Sequence, residues 1–198
     1  MHPLGAGWIA VPEAAPGAPV PLLVLLHGAG SSGRAMVELA GTAVAAAGVL
    51  LLAPDATRAS WDLVHGGFGA DVARIDAALA AIGSRWTVDP GFTVLGGFSD
   101  GASYALSLGL ANGDRFSHLV AFSPGFMAPD AVHGRPPVYV SHGRDDPVLP
   151  VACSHRIVRA LRAAGHEVAF TEFAGGHAVP PEIAREALDW VRATPRAG

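Results

Sequence analysis

A serine with glycine two positions to either side, Gly97-Phe98-Ser99-Asp100-Gly101, follows a strand-forming run, Phe92 to Leu95, and precedes a helix-forming one, Ala102 to Ala111. At so sharp a strand-to-helix turn the central residue must take an unfavourable backbone conformation. Its neighbours two positions away crowd the adjoining strand and helix, which leaves room for glycine alone. The spacing predicts a Ser99 hydroxyl held out at a helix N-terminus, where unpaired N–H groups favour negative charge. The chemistry this suits is nucleophilic attack on a carbonyl; the plainer alternative is a glycine-rich turn with an incidental serine.

A serine hydroxyl is a poor nucleophile until a base takes its proton, and the base needs an acid to hold its tautomer and stabilise its charged form. Nine histidines compete for the base role. His27 and His142 each precede a glycine after an apolar run and read as structural or loop-shaping. His2, His133 and His155 lie in polar or terminal stretches and read as solvated. His118 begins a strand, His166 follows Gly165 in a turn, and His65 lies in the irregular loop Arg58 to Gly69. His177 alone sits in a glycine-flanked loop after the last strand, Gly175-Gly176-His177, and is the candidate base, against the alternative of a surface-loop histidine. For the acid, His142-Gly143-Arg144-Asp145-Asp146-Pro147-Val148-Leu149-Pro150 offers two adjacent aspartates, which would otherwise only cap the helix that follows.

A tetrahedral oxyanion needs hydrogen-bond donors. The backbone N–H groups of Asp100, just after the nucleophile, and Ala29, in the loop His27-Gly28-Ala29-Gly30-Ser31-Ser32-Gly33, are the candidates. Losing one such donor typically costs about 3–4 kcal/mol of transition-state stabilisation. Candidate pocket walls are Trp61, Phe68, Phe98, Phe126, Met127 and Val179, each of which could equally be core.

The elements that must position these residues alternate along the chain. Pro21 to Leu26 is apolar without alternation, as a parallel strand covered on both faces requires. Arg34 to Ala47 reads as a helix ended by Gly48, and Val49 to Ala53 as a second buried strand. Arg58 to Gly69 is an irregular loop. Ala70 to Ile82 is a helix with Val72, Ile75, Leu79 and Ile82 on one face and Asp71, Arg74 and Asp76 largely off it. His118 to Phe122 and Val138 to Ser141 are further strands, Cys153 to Ala164 a helix, and Val168 to Phe173 an alternating edge strand. A last helix starts at Pro180-Pro181, runs to about Arg192 and buries Ile183, Ala187 and Trp190. Trp8 to Val11 suits a short edge strand, and Glu13 to Pro21 a turn. The expected fold is α/β: a mostly parallel open sheet of about seven strands with helices on both faces, in one domain over residues 1–198. In such sheets ligands sit beyond the carboxyl ends of the strands, where the loops carry His27, Asp55, Ser99, Ser123, His142, Asp146 and His177.

Composition narrows the function. Of the 198 residues 51% are hydrophobic and 15% charged, which excludes a disordered chain. The net charge is −4 and there is no lysine, so no basic stripe exists for nucleic acid. The lone Cys153 excludes an internal disulfide. No apolar run is long enough to span a membrane and no signal peptide is evident, so the expected location is the cytoplasm. No His/Cys/Asp/Glu cluster has convincing metal-ligand spacing, so no cofactor is expected.

Together, Leu26-His27-Gly28-Ala29-Gly30, Gly97-Phe98-Ser99-Asp100-Gly101, His142 to Pro150 and Gly175-Gly176-His177 resemble the phospholipase/carboxylesterase family of α/β-hydrolases, with dienelactone-hydrolase-like and polyhydroxyalkanoate-depolymerase-like esterases as close neighbours. The likeness covers almost the whole chain. It implies that Asp146, just before Pro147-Val148, takes the acid position, and that the order serine, aspartate, histidine is that of α/β-hydrolases. It further implies cofactor-free hydrolysis of carboxylic or thioester bonds through an acyl-enzyme, and the expected partner is a small-molecule ester. Two departures matter. Asp100 stands where acyl-protein thioesterases of this family often carry glutamine, which weakens a thioesterase reading. The segment Pro124 to Pro137 is too short for a substantial lid domain, which suits small or flexible acyl groups. A thioesterase, depolymerase or peptidase on the same three residues, and a non-catalytic interaction module, are the alternatives. The oligomeric state is left open, a homodimer included.

Overall fold

The computed structural model describes residues 1–13 and 17–195. In order the elements are β1 (His2–Pro3), β2 (Gly7–Ala10), β3 (Val20–Leu26), α1 (Gly33–Ala46), β4 (Leu50–Pro54), a short 3-10 helix (Asp62–His65), α2 (Ala70–Gly83), β5 (Val88–Phe98), α3 (Asp100–Ala111), β6 (His118–Phe122), β7 (Val138–Gly143), α4 (Ala152–Ala163), β8 (Val168–Phe173) and α5 (Pro181–Ala193). Of the turn expected over Glu13 to Pro21, residues 14–16 lie outside the described residues.

The strands form one eight-stranded sheet in the order β1-β2-β4-β3-β5-β6-β7-β8. The run from β4 to β8 is parallel, and β1 and β2 are antiparallel additions. The sheet thus has one strand more than about seven, and the Trp8 strand is not at its edge. Gly5 turns the chain back at φ +56, a conformation open to glycine, so His2–Pro3 pairs with Trp8–Ile9 from outside. At the other end β8 is the edge strand, as its alternation predicts.

The unbroken apolar run of β3 is explained by two covered faces. Leu22, Val24 and Leu26 pack in the core layer that also holds Ile75 and Ile82 of α2, Leu106 of α3 and Ile157 of α4. Leu23 and Leu25 pack in the opposite layer, with Met36 and Val37 of α1 and Ile183, Ala187 and Val191 of α5. Fully burying side chains of this size contributes about 1.5–3 kcal/mol each relative to exposure. Trp190 is only half-buried; it rests on Tyr139 and His118 while Val191 takes the deep position. A second helix also differs from its sequence reading: Asp71 of α2 is fully buried. Its carboxylate accepts N–H bonds from Thr57 and Asp62, which compensates its removal from water.

Register places the site. Leu26 pairs with Gly97, Phe98 with Phe122, Phe122 with Ser141, and Gly143 with Phe173. The carboxyl ends of five parallel strands therefore stop in one row, and the loops that follow them share one edge of the sheet. The connection from β6 to β7, residues 124–137, contains no helix or strand, and among the described residues no lid covers that edge.

Candidate active site

The turn from β5 into α3 is built as its glycines predict. A Cβ on Gly97 would run into the backbone of Gly101, and one on Gly101 into the carbonyls of Leu26 and His27. Ser99 between them has φ 58 and ψ −117, a left-handed conformation that costs a non-glycine residue on the order of 1–3 kcal/mol. The turn is held because the Ser99 N–H donates to Phe122 O at 2.9 Å and α3 starts at once, with Ser103 N–H donating to Ser99 O at 3.1 Å. The hydroxyl is left half-buried at the head of α3.

Two other loops close on it. His177 Nε2 lies 2.8 Å from Ser99 Oγ, and His177 Nδ1 lies 2.6 Å from Asp146 Oδ2. A carboxylate only accepts, so Nδ1 carries the hydrogen and Nε2 is free to accept from the serine hydroxyl. The Asp146 side chain is fully buried and that of His177 is 15% exposed. The two loops can meet because Gly143 has no side chain: a Cβ there would collide with the carbonyls of Gly175 and Gly176. Phe98 stacks beside the His177 ring with centroids 4.7 Å apart.

Asp146 is held as an anion. Burial works against its charge, but the N–H groups of Leu149 and Val148 and the ring of His177 outweigh it and keep its carboxyl below the ordinary aspartate range. The two N–H bonds to Oδ1 are both 2.8 Å. His142 stands behind: Nε2 is 2.9 Å from Leu149 O and 3.2 Å from Asp146 Oδ2, so it carries the hydrogen, and Nδ1 accepts from Ser154 Oγ at 2.7 Å. His142 thus shapes the loop. So does His27, whose Nδ1 donates to Gly28 O and whose Nε2 accepts from Ala56 N–H. Asp145 is exposed and, among the described residues, its one hydrogen bond is from its backbone N–H to Gly175 O.

Among the described residues the N–H of Ala29 donates to no protein acceptor, and that of Asp100, first in α3, has no partner within its helix. Of the six expected pocket walls, Trp61 must be reassigned. It is 0% exposed, its indole N–H donates to His27 O at 2.8 Å, and its ring rests against Tyr104, so it is core beneath the loop. Phe68 packs edge-on against Tyr104. Met127 and Val179 are half-buried against the two core layers, and Phe126 is 37% exposed.

Sequence reasoning passed over several residues that hold the site. Ser103 Oγ accepts the Gly125 N–H at 3.0 Å and pins the loop after β6. Asp55 Oδ1 accepts the Gly33 N–H at the head of α1. Ser60 Oγ and Trp61 N–H both donate to Asp100 Oδ2. Ser103 and Ser60 belong to no motif, and an isolated polar residue in an apolar or irregular stretch is their only signal; Asp55 and Asp100 stand at strand ends that the sequence marks, and only these side-chain bonds are new. Among the described residues no group of three or more His, Cys, Asp or Glu is placed to hold a metal ion, and no helix is long and apolar enough to cross a membrane.

The parallel sheet covered on both faces, with a strained serine at the turn after β5, defines an enzyme of the α/β-hydrolase class, of the serine-hydrolase type. The chain belongs to the phospholipase/carboxylesterase family, whose model matches residues 73–194. Among solved structures it is similar to esterase PE8, at 28% identity over 95% of this chain and 98% of that one, with a TM-score of 0.78. The carboxylesterase of Bacillus cereus, 20% identical over 94% of this chain and 92% of that one, shares the fold with a TM-score of 0.72. Acyl-protein thioesterase 1 of Gibberella zeae is 28% identical over 109 residues, 50% of this chain; the match spans about half the length of that relative, 46%.

Proposed function

We propose that the chain is a serine carboxylesterase that hydrolyses small or flexible carboxylic esters through an acyl-enzyme. The observation that carries this reading is the hydrogen-bonded line from Ser99 Oγ through both nitrogens of His177 to Asp146. Ser99 Oγ attacks the ester carbonyl while His177 Nε2 takes its proton. Asp146, already anionic, stabilises the imidazolium through Nδ1–H. The N–H groups of Ala29 and Asp100 bind the oxyanion, and Phe98, Phe126, Met127 and Val179 border the acyl group. The imidazolium returns its proton to the leaving alkoxide. Water then attacks the acyl-serine by the same route, which frees the acid and restores Ser99. No step needs a metal, so EDTA should change nothing.

The test is a panel of aryl esters of increasing acyl length beside the matching acyl thioesters, followed before the steady state. The reading expects a burst of one alcohol per enzyme and the highest kcat/KM on short esters. Absence of ester turnover by folded enzyme would defeat it. A second reading, a thioesterase, is favoured by the similarity to the Gibberella zeae protein over half of the chain. A kcat/KM for thioesters well above that for the matching esters would select it.

A further inference from the structure

Both proposed oxyanion donors lean on one stretch of chain, residues 56–61, between β4 and the short 3-10 helix. On one side this stretch holds the loop after β3. The Ala56 N–H donates to His27 Nε2 at 3.1 Å, the Trp61 indole to His27 O at 2.8 Å, and the Gly30 N–H to Ala59 O at 2.6 Å. Ala29 lies between His27 and Gly30, in a loop with glycine at both adjoining positions and Gly30 at φ +72. Its N–H is placed by these three bonds together with the turn that the Ser31 N–H closes onto Gly28 O at 3.1 Å. On the other side the same stretch is tied to the head of α3. Ser60 Oγ donates to Asp100 Oδ2 at 2.7 Å and Trp61 N–H to the same oxygen at 3.0 Å. Asp100 thus has two separable parts: a backbone N–H at the reacting centre, and a carboxylate that grips the stretch locating the other donor.

Resting on the hydrolase reading above, we infer that the Asp100 carboxylate is a positioning residue that fixes the spacing between the Ala29 and Asp100 N–H groups through residues 56–61. The oxyanion hole is then set by a side-chain clamp across two loops, and Ser60 is the second half of the clamp. A plainer role for Asp100 is an acidic residue in the first turn of α3, which would favour the helix and nothing more. The two roles predict different things. A helix-end charge affects unfolding and is indifferent to Ser60. A clamp affects the transition state, and Ser60 matters although the charge stays in place.

The experiment compares wild type, Asp100→Ala, Asp100→Asn and Ser60→Ala on one short aryl ester. It measures kcat and KM separately, the pH profile, and the inhibition constant of an arylboronic acid, whose tetrahedral adduct places an oxygen in the hole. Removing a whole oxyanion donor costs about 10²–10³ in kcat, so displacing one should cost about 10- to 100-fold in Asp100→Ala and about 3- to 10-fold in Ser60→Ala. KM should stay within about threefold, as for an interaction made only in the transition state. Boronate affinity should fall in step with kcat, and the pH profile should keep its midpoint because His177 is untouched. Asp100→Asn keeps an acceptor oxygen and should lose about threefold less than Asp100→Ala. If Asp100→Ala fails to fold, Ser60→Ala carries the test. Variants of both residues with kcat and boronate affinity within about twofold of wild type would overturn the clamp. That result is distinct from failure of the hydrolase reading, which would show as no ester turnover by folded wild type, and from failure of the Ser99 assignment, which would show as full activity in Ser99→Ala.

Discussion

Two serines of this chain sit at the carboxyl ends of neighbouring parallel strands in left-handed backbone, Ser99 after β5 at φ 58 and Ser123 after β6 at φ 52. Among the described residues no other non-glycine position has a positive φ. Their main chains are even treated alike, each N–H donating to the next strand over, Ser99 to Phe122 O and Ser123 to Ser141 O. Everything beyond the backbone differs. Ser99 is half-exposed, heads a twelve-residue helix and faces an imidazole nitrogen. Ser123 is fully buried, leads into a loop without helix or strand, and its hydroxyl has no partner among the described residues. Backbone strain is thus common to both and cannot by itself mark a nucleophile. What separates the two is access, an imidazole nitrogen within 3 Å and the helix terminus behind.

The sharpest way to break this contrast is to delete each hydroxyl. Ser99→Ala should reduce kcat by on the order of 10⁶, the loss seen when the nucleophile of a serine hydrolase is removed, with the thermal unfolding midpoint little changed. Ser123→Ala should leave kcat within about twofold. A Ser99→Ala enzyme with near wild-type turnover would reverse the assignment.

The next effect in size separates the two adjacent aspartates. Asp146→Asn should lower kcat by about 10⁴, because the amide no longer selects the Nδ1–H tautomer of His177. Asp145, whose side chain faces solvent, should tolerate the same change within about threefold. If the two behaved the other way round, the hydrogen bond at 2.6 Å would not be the one that orients the base.

Acid should act on stability as well as on chemistry. Burial lowers the pKa of His118, against smaller opposing effects of the Thr194 carbonyl and Glu167. A group that resists protonation when folded loses stability for the protein as pH drops below the unfolded histidine value of about 6.5. Asp146, lowered in the fold, adds a contribution that is present above the ordinary aspartate range and lost as pH falls through its lower folded value. The unfolding midpoint should therefore fall from pH 7 to pH 5, and His118→Gln should flatten that decline. An unchanged slope in His118→Gln would remove His118 from the account.

The smallest expected effect returns to Ser123. An orphaned buried hydroxyl costs about 1–3 kcal/mol, so Ser123→Ala should be neutral or stabilising by up to about 1 kcal/mol, read as a shift in urea midpoint at constant slope. A clear loss of stability would show that the hydroxyl has a partner after all.

How much of this was legible in the sequence follows from the range of each signal. Periodicity and apolar runs are local, so the parallel strands, the five helices and the β8 edge could be read directly. The serine elbow was equally legible, because its pentapeptide is contiguous and Gly97 answers a clash with Gly101 four residues on, although Gly101 itself clears the distant Leu26 and His27 carbonyls. The partnership of Asp146 with His177 spans 31 positions and was reached through resemblance; the aspartates alone left two choices. Asp71 was misread because a carboxylate on a helix looks solvated until the loop that donates to it, Thr57 to Asp62, is in place. Trp61 was half-read for the same reason: its core position depends on a carbonyl of His27, 34 residues earlier. The His2–Pro3 strand was missed because two residues carry no periodicity at all.

The account stands most directly on one covalent bond. Intact-protein mass spectrometry after reaction with a fluorophosphonate, followed by peptide mapping, locates that bond. The account predicts a single adduct on Ser99, loss of ester hydrolysis in proportion to labelling, and no label on Ser99→Ala. Inactivation with the adduct on Ser123 or any other residue, or an active enzyme labelled fully at Ser99, would contradict it.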